Sequence, residues 1–265
     1  MNQGTAGKAA THQAVTGSRP EGATSEGDAS RRVQEMFTRI APRYDLLNHL
    51  LSLELDRVWR ARTARLLSPI LQRADAQVLD LCCGTGDLTF ALQRRGPARL
   101  WGADFAHPML VRAREKAAQG SAATSAQPVF IESDALHLPF ADGTFDLVTT
   151  GFGFRNLANY AQGLQEIRRV LKPGGTLAIL ECTEPRPGWF GDLYRWYFRT
   201  VLPWIGGWIS GDRMAYKYLP RSVQRFLHAD ELKALMRENG YGQVEARLWT
   251  GGTIALHTGT RTQGN

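Results

Sequence analysis

The stretch Val78-Leu79-Asp80-Leu81-Cys82-Cys83-Gly84-Thr85-Gly86-Asp87 constrains the rest of the chain, because an apolar run stops at two glycines and reopens as a helical pattern. Val78 to Cys82 reads as a short buried strand, and Gly84 and Gly86 permit backbone angles and a close ligand approach that a Cβ would obstruct. A glycine turn between strand and helix also suits dinucleotide phosphates. That fingerprint wants a third glycine three residues beyond Gly86, where this chain has Thr89. The turn is better matched to a nucleoside with a small amino-acid tail. N–H groups at Thr85 to Asp87 can meet a carboxylate, and Asp80 and Asp87 lie near enough for an ammonium. S-adenosylmethionine has both groups and a sulfonium.

A helix from Leu88 to Arg95 leads to Arg99-Leu100-Trp101-Gly102-Ala103-Asp104, a second strand ending in a carboxylate that can accept from both ribose hydroxyls. Val129 to Glu132 is a third strand, delivering Ser133-Asp134-Ala135 to the same edge, where Asp134 can accept from an adenine amino group or simply cap its loop. Phe145 to Thr150 is a fourth strand, Leu164 to Leu171 an amphipathic helix, Lys172-Pro173-Gly174-Gly175 a turn, and Thr176 to Cys182 a fifth strand. Glu231 to Glu238 is helical; Gln243 to Leu248 and Thr253 to Thr258 are strands joined across Thr250-Gly251-Gly252 as an antiparallel pair. Alternating strands and helices specify an α/β doubly wound sheet covered on both faces. In such sheets ligands sit outside the carboxyl ends of the strands, where Gly84, Asp104, Asp134 and Gly151 to Asn156 converge.

The 265 residues allow one large domain, and 43% hydrophobic content can fill its core. Residues 1–30 are nearly free of large apolar side chains, so they read as a disordered tail ahead of a domain over 31–265, without a secretory h-region. No apolar span approaches bilayer length, which predicts a soluble, cytoplasmic protein. The formal net charge of +7 favours polyanions without choosing among them. An RNA methyltransferase would need a stacking platform or a basic groove, whereas these arginines are scattered through helices, so no nucleic-acid partner is expected. Three cysteines form neither a disulfide framework nor a C-x-x-C site; they read as small core residues, and no metal is expected.

Upstream, Val33, Met36, Phe37 and Ile40 make one apolar helical stripe that stops at Ala41-Pro42. In the next segment Leu46, Leu47, Leu50 and Leu51 form a second, leaving Tyr44, Asp45, Asn48 and His49 as polar groups near its start. A basic amphipathic helix continues from Trp59 through Leu71. Between Pro185 and Phe226 an insert carries Trp189, Phe190, Tyr194, Trp196, Tyr197, Phe198, Trp204, Trp208, Tyr216 and Tyr218 among arginines and lysine. It reads as a helical cap with its own aromatic core, or as a lid offering an apolar slot for a greasy substrate and a basic rim for an anionic membrane surface.

Several segments resemble the ubiquinone/menaquinone biosynthesis C-methyltransferase family, within the class I S-adenosylmethionine-dependent methyltransferases. They are Phe37 to Asn48 with its Tyr44-Asp45-x-x-Asn48, Leu79 to Leu88, Gly151-Phe-Gly-Phe-Arg155-Asn156, Arg169 to Gly175, Tyr218-Leu-Pro220 and Gly251 to Gly259. The resemblance implies a seven-stranded Rossmann-like sheet of order 3-2-1-4-5-7-6 with the last strand antiparallel, N-terminal helices and an aromatic-rich lid. It implies methyl transfer to a ring carbon of a polyprenyl quinol, demethylmenaquinol before 2-methoxy-6-polyprenyl-1,4-benzoquinol. Cofactor positions carry over to Thr85, Asp104, Asp134 and Ala135, with Gly84, Gly86 and Tyr44 beside them. Where some members have a serine ahead of Phe-Gly, this chain has Gly151, so any contact there is by backbone. Arg155 is the candidate for lowering the quinol's pKa, Asn156 for orienting an oxygen, and Asp45 or His49, or merely water, for a general base. A homodimer and peripheral contact with the inner face of the membrane are left open.

Overall fold

In the computed structural model the described residues are 17–120, 126–185 and 213–263, with Gly188, Gly191, Asp192, Trp196 and Thr200 between them. Seven strands form one sheet of order β3-β2-β1-β4-β5-β7-β6. They are β1 (Gln77–Leu81), β2 (Arg99–Asp104), β3 (Val129–Glu132), β4 (Phe145–Gly151), β5 (Leu171–Cys182), β6 (Tyr241–Trp249) and β7 (Ile254–Arg261). The first five pair in parallel, and β7 runs antiparallel between β5 and β6.

Period-two alternation divides the core between the two faces of this sheet. Leu79 and Leu81 of β1, Val148 of β4 and Leu177 and Ile179 of β5 pack on one side with Leu164 and Ile167 of α7 (Tyr160–Val170) and Leu232 and Met236 of α9 (Ala229–Glu238). Val78, Leu147, Ala178 and Leu180 face the other side, against Ala64 of α3 (Leu55–Leu66) and Leu88, Ala91 and Leu92 of α5 (Asp87–Gln93). The expected turn at Lys172 to Gly175 lies inside β5 as an irregularity. The register steps from Phe145↔Leu171 to Leu147↔Thr176, so these residues are looped out of the ladder with Gly174 at φ +77°.

The expected tail boundary at residue 30 is corrected. Helix α1 spans Glu26–Ile40 and is capped by the Ser25 side chain, which accepts from Asp28 N–H. Ser18 is buried, with its N–H on the Leu157 carbonyl at 2.7 Å. Composition missed this because residues 17–25 are held by hydrogen bonds and ion pairs to distant elements, not by apolar burial. Residues 1–16, and most of the aromatic insert including Trp189, Phe190, Tyr194, Tyr197, Phe198, Trp204 and Trp208, lie outside the described residues. The insert's last part is α8 (Arg213–Arg225). Helices α2 (Tyr44–Leu51) and α3 precede α4 (Ser68–Leu71) and the sheet, and α6 (His107–Gln119) follows β2. Among the described residues no helix is long and apolar enough to cross a membrane.

Candidate active site

Chain order reverses between β1 and its neighbours β2 and β4, so the loops leaving their carboxyl ends diverge and leave a crevice. A cleft of about 670 Å³, the solvent at its mouth included, occupies it. Gly84 and Gly86 have φ of +56° and +85°, and a Cβ on Gly86 would come within 2.8 Å of the Phe90 ring. Only glycine fits that turn without displacement. Cys82 (φ 53°) and Phe152 (φ 61°), at the ends of β1 and β4, are also left-handed without being glycine, and both line the cleft. Each costs about 1–3 kcal/mol, concentrating strain at this edge of the sheet.

The cleft has two ends. At one, Asp104 is nearly buried and accepts from Gly84 N–H at 2.8 Å and Ala106 N–H at 2.9 Å. Burial pushes its carboxyl up to about 6 against the pull of those N–H groups. Asp134 is half exposed, accepts from Leu136 N–H at 2.9 Å and lines the cleft with Ala135, so it caps its loop while still facing the cleft. The buried Ser133 hydroxyl beside it has no hydrogen-bond partner among the described residues. At the other end Phe152, Gly153, Asn156 and Leu157 form an apolar wall with one amide in it, and Tyr44 and Gly84 lie between.

A smaller hollow of about 300 Å³ shares Tyr44, Cys82 and Gly151 with the cleft and is lined by Arg60, Asp80, Thr85 and Asp87. Asp80 is fully buried; its oxygens accept from Thr89 Oγ1 at 2.6 Å and Thr149 Oγ1 at 2.8 Å, and burial pushes it up to about 6. Arg60 is hydrogen-bonded to Asp56, lies 3.7 Å from Asp87 Oδ2 and sits over the Phe152 ring at 5.4 Å. Nothing in its helical spacing distinguished Arg60 from the other arginines of α3; only the packing of α3 on α5 brings it here.

Four expected residues stand elsewhere. Thr85 is buried, and its hydroxyl donates to Asp45 at 2.5 Å and accepts from Lys116 at 3.0 Å, so it borders the smaller hollow. Asp45 is held by Thr85 and by Lys116 Nζ at 2.6 Å. His49 bonds Asp56 through Nδ1 at 2.8 Å, with Nε2 3.8 Å from Asp87. Neither Asp45 nor His49 lines the cleft, because the one is turned to Lys116 of α6 and the other to Asp56 of α3. Arg155 does not line it either. It is buried behind Asn156, and its guanidinium donates to Glu181 Oε1 at 2.5 Å and to the Phe152 carbonyl at 2.6 Å. Burial works most strongly against its charge, but Glu181 together with Cys182, Tyr218 and Tyr44 outweighs it and raises its pKa. A buried guanidinium needs such a counterion, and Glu181, on β5, was invisible to motif reading. All three cysteine thiols are free, and burial raises them, Cys182 to about 12, which fits structural cysteines.

A seven-stranded sheet of this order, with a glycine turn after β1 and a carboxylate at the end of β2, defines a class I S-adenosylmethionine-dependent methyltransferase. Residues 25–261 match the ubiE/COQ5 methyltransferase family, and the chain belongs to it. Among its relatives, the demethylmenaquinone methyltransferase of Thermus thermophilus is 51% identical over 85% of this chain and 100% of that protein. The one of Deinococcus radiodurans is 46% identical over 88% and 94%. Similar solved structures include the cyclase SpnF, with a TM-score of 0.65 at 17% identity over 89% of this chain and 97% of that one. A Thermotoga maritima S-adenosylmethionine-dependent methyltransferase follows at 0.60 and 17%, over 86% and 99%. At such identities they speak for the fold alone.

Proposed function

We propose that the chain methylates a ring carbon of a polyprenyl quinol, demethylmenaquinol, in menaquinone biosynthesis. The observation that carries this reading is the pairing of a carboxylate-lined cofactor end with an apolar end holding the single amide of Asn156; the names of the relatives supply the quinol.

The residues present fit S-adenosylmethionine. Asp104 would hold the ribose hydroxyls, and Asp134 with the unpartnered Ser133 hydroxyl would hold the adenine edge. The smaller hollow would take the amino-acid tail, with Asp80 and Asp87 toward its ammonium and Arg60 toward its carboxylate. When bound, the cofactor supplies an electrophilic methyl group on a sulfonium.

For the quinol, ionising a hydroxyl of pKa about 10 at pH 7 costs roughly 4 kcal/mol. The Asn156 amide offers that oxygen a hydrogen bond, and Arg155, one residue away, adds positive potential reduced by Glu181. Holding donor and acceptor in line can supply about 7–11 kcal/mol, against a factor of about 10² to 10⁴ from a positioned base. Alignment is therefore the larger contribution, and the reading needs neither Asp45 nor His49 as a base. It needs no metal either. Among the described residues the one cluster of suitable donors, His49, Asp56 and Asp87, already has the Arg60 guanidinium among its carboxylates.

The prenyl tail favours contact with a bilayer, and neighbouring arginines favour an anionic one. Leu46, Leu50, Leu53, Leu55 and Val58 are exposed together along α2 and the start of α3, on a helix pair that also carries Arg57, Arg62 and Arg65. Leu53 sits at the tip, 72% exposed and left-handed at φ 53°. Labelled S-adenosylmethionine offered with demethylmenaquinol and with 2-methoxy-6-polyprenyl-1,4-benzoquinol tests the substrate. Label in the naphthoquinol supports the reading, and label only in the benzoquinol, or in neither, overturns it.

A further inference from the structure

Asn156 lines the cleft, yet its orientation is set from outside. Its Oδ1 accepts from the Tyr218 hydroxyl of α8 at 2.9 Å. That hydroxyl also meets Ser18 Oγ at 2.9 Å. A phenol has one proton. With it committed to Asn156, Ser18 must be the donor to Tyr218. The chain of bonds then has one direction, and it ends by turning the Asn156 NH₂ away from Tyr218. Among the described residues that NH₂ has no partner.

Ser18 is itself fixed. Its N–H donates to the Leu157 carbonyl at 2.7 Å, while Arg19 Nη1 bonds the carbonyls of Ser18 at 2.9 Å and Ala158 at 2.8 Å. From α8, Arg225 donates to the Arg19 carbonyl at 3.1 Å and Arg221 pairs with Glu21. Residues 18–21 thus tie α8 to the turn carrying Asn156. A free carboxamide could flip and present its oxygen instead, at no cost in shape; with Ser18 donating to it, the phenol holds its one proton toward Asn156 and favours Oδ1 there.

Resting on the quinol reading above, we propose that Tyr218 and Ser18 are positioning residues that lock the Asn156 amide with its NH₂ toward the substrate, where it donates to the oxygen of the ring being methylated. The N-terminal segment is on this account a working part of the substrate end of the cleft, and the donor stabilises a substrate oxygen more in its anionic form than as a hydroxyl.

The test uses the full chain, with turnover of demethylmenaquinol, S-adenosylmethionine affinity and thermal melting measured for each variant. Tyr218→Phe and Ser18→Ala should each lower kcat/KM for the quinol by about five- to tenfold, with cofactor affinity and melting unchanged and Ser18→Thr restoring the rate. In an Asn156→Ala background Tyr218→Phe should change kcat/KM by less than about twofold, since the group it orients is gone. Asn156→Asp, which offers only acceptors, should reduce turnover further than Asn156→Ala. An undiminished effect of Tyr218→Phe in the Asn156→Ala background, or an active Asn156→Asp enzyme, overturns the proposal. Wild-type protein inactive on both quinols sinks the quinol reading alone. The lock is then judged by the NMR signals of the Asn156 side-chain amide, whose failure to shift in Tyr218→Phe overturns it.

Discussion

Oδ2 of Asp104 accepts the Gly84 N–H at 2.8 Å, tying the carboxylate at the end of β2 to the turn that follows β1. The turn and the carboxylate are therefore placed by each other, and the carboxylate's other oxygen is braced by Ala106 N–H.

Replacing that carboxylate should cost cofactor affinity. Asp104→Ala removes a charged acceptor for two hydroxyls and should weaken S-adenosylmethionine binding by roughly 1.5–3 kcal/mol, or about 10- to 150-fold. Calorimetry reads this directly, and unaltered affinity would take Asp104 out of the site.

The same group predicts a pH dependence. Burial raises Asp104 from 3.8 to about 6, so the unliganded fold favours its neutral form, while gripping two hydroxyls favours the ionised one. Affinity should hold above pH 6 and fall toward tenfold per unit below it. Asp80 titrates in the same range; the part of the slope that disappears in Asp104→Asn belongs to Asp104.

Asp80 makes a prediction about stability. Its folded-state value of about 6 lies above the ordinary 3.8, so its favourable contribution is complete below pH 4 and is lost as pH rises through 6. Asp80→Asn should stabilise the unliganded protein at pH 8 by roughly 3 kcal/mol at most, with the gain shrinking through pH 6 and absent near pH 4. Melting curves at three pH values decide it; a variant less stable at pH 8 would show that the Thr89 and Thr149 bonds outweigh burial.

Glu181 is fully buried beside Arg155. Glu181→Gln leaves an uncompensated guanidinium and should destabilise the fold by about 3–5 kcal/mol, read as a lower urea midpoint. A midpoint within error of wild type would mean that water or another group reaches Arg155.

Membrane contact through α2 and α3 is testable with vesicles. Wild-type protein should sediment with vesicles containing phosphatidylglycerol and much less with pure phosphatidylcholine, and Leu46→Gln with Leu53→Gln should abolish sedimentation. Turnover of a short-tailed, water-soluble quinol should be untouched. Sedimentation that survives both changes would move the contact elsewhere.

Local signals announced most of this architecture, and long-range ones did not. Strand β3 was legible at its observed bounds because Val129 to Glu132 sits between turn-forming stretches, and Gly84, Asp104 and Asp134 were legible because each falls at the carboxyl end of a strand. Arg60, Glu181, Tyr218 and Ser18 were not, since what each does depends on a partner brought in by the fold: Phe152, Arg155, Asn156 and Tyr218 in turn. Asp45 and His49 looked like site residues because they neighbour Tyr44, but at about 100° per residue both point away from Tyr44's face, onto Lys116 and Asp56.

The placement of β7 has a consequence for how the molecule is made. It is the last strand in sequence but lies inside the sheet, between β5 and β6. During synthesis the flank of β5 must therefore stay open, and β6 must wait unpaired, until Ile254–Arg261 has emerged. Unpaired strand edges invite association with other chains, so the interval before β7 arrives is when a nascent chain most needs a chaperone's cover.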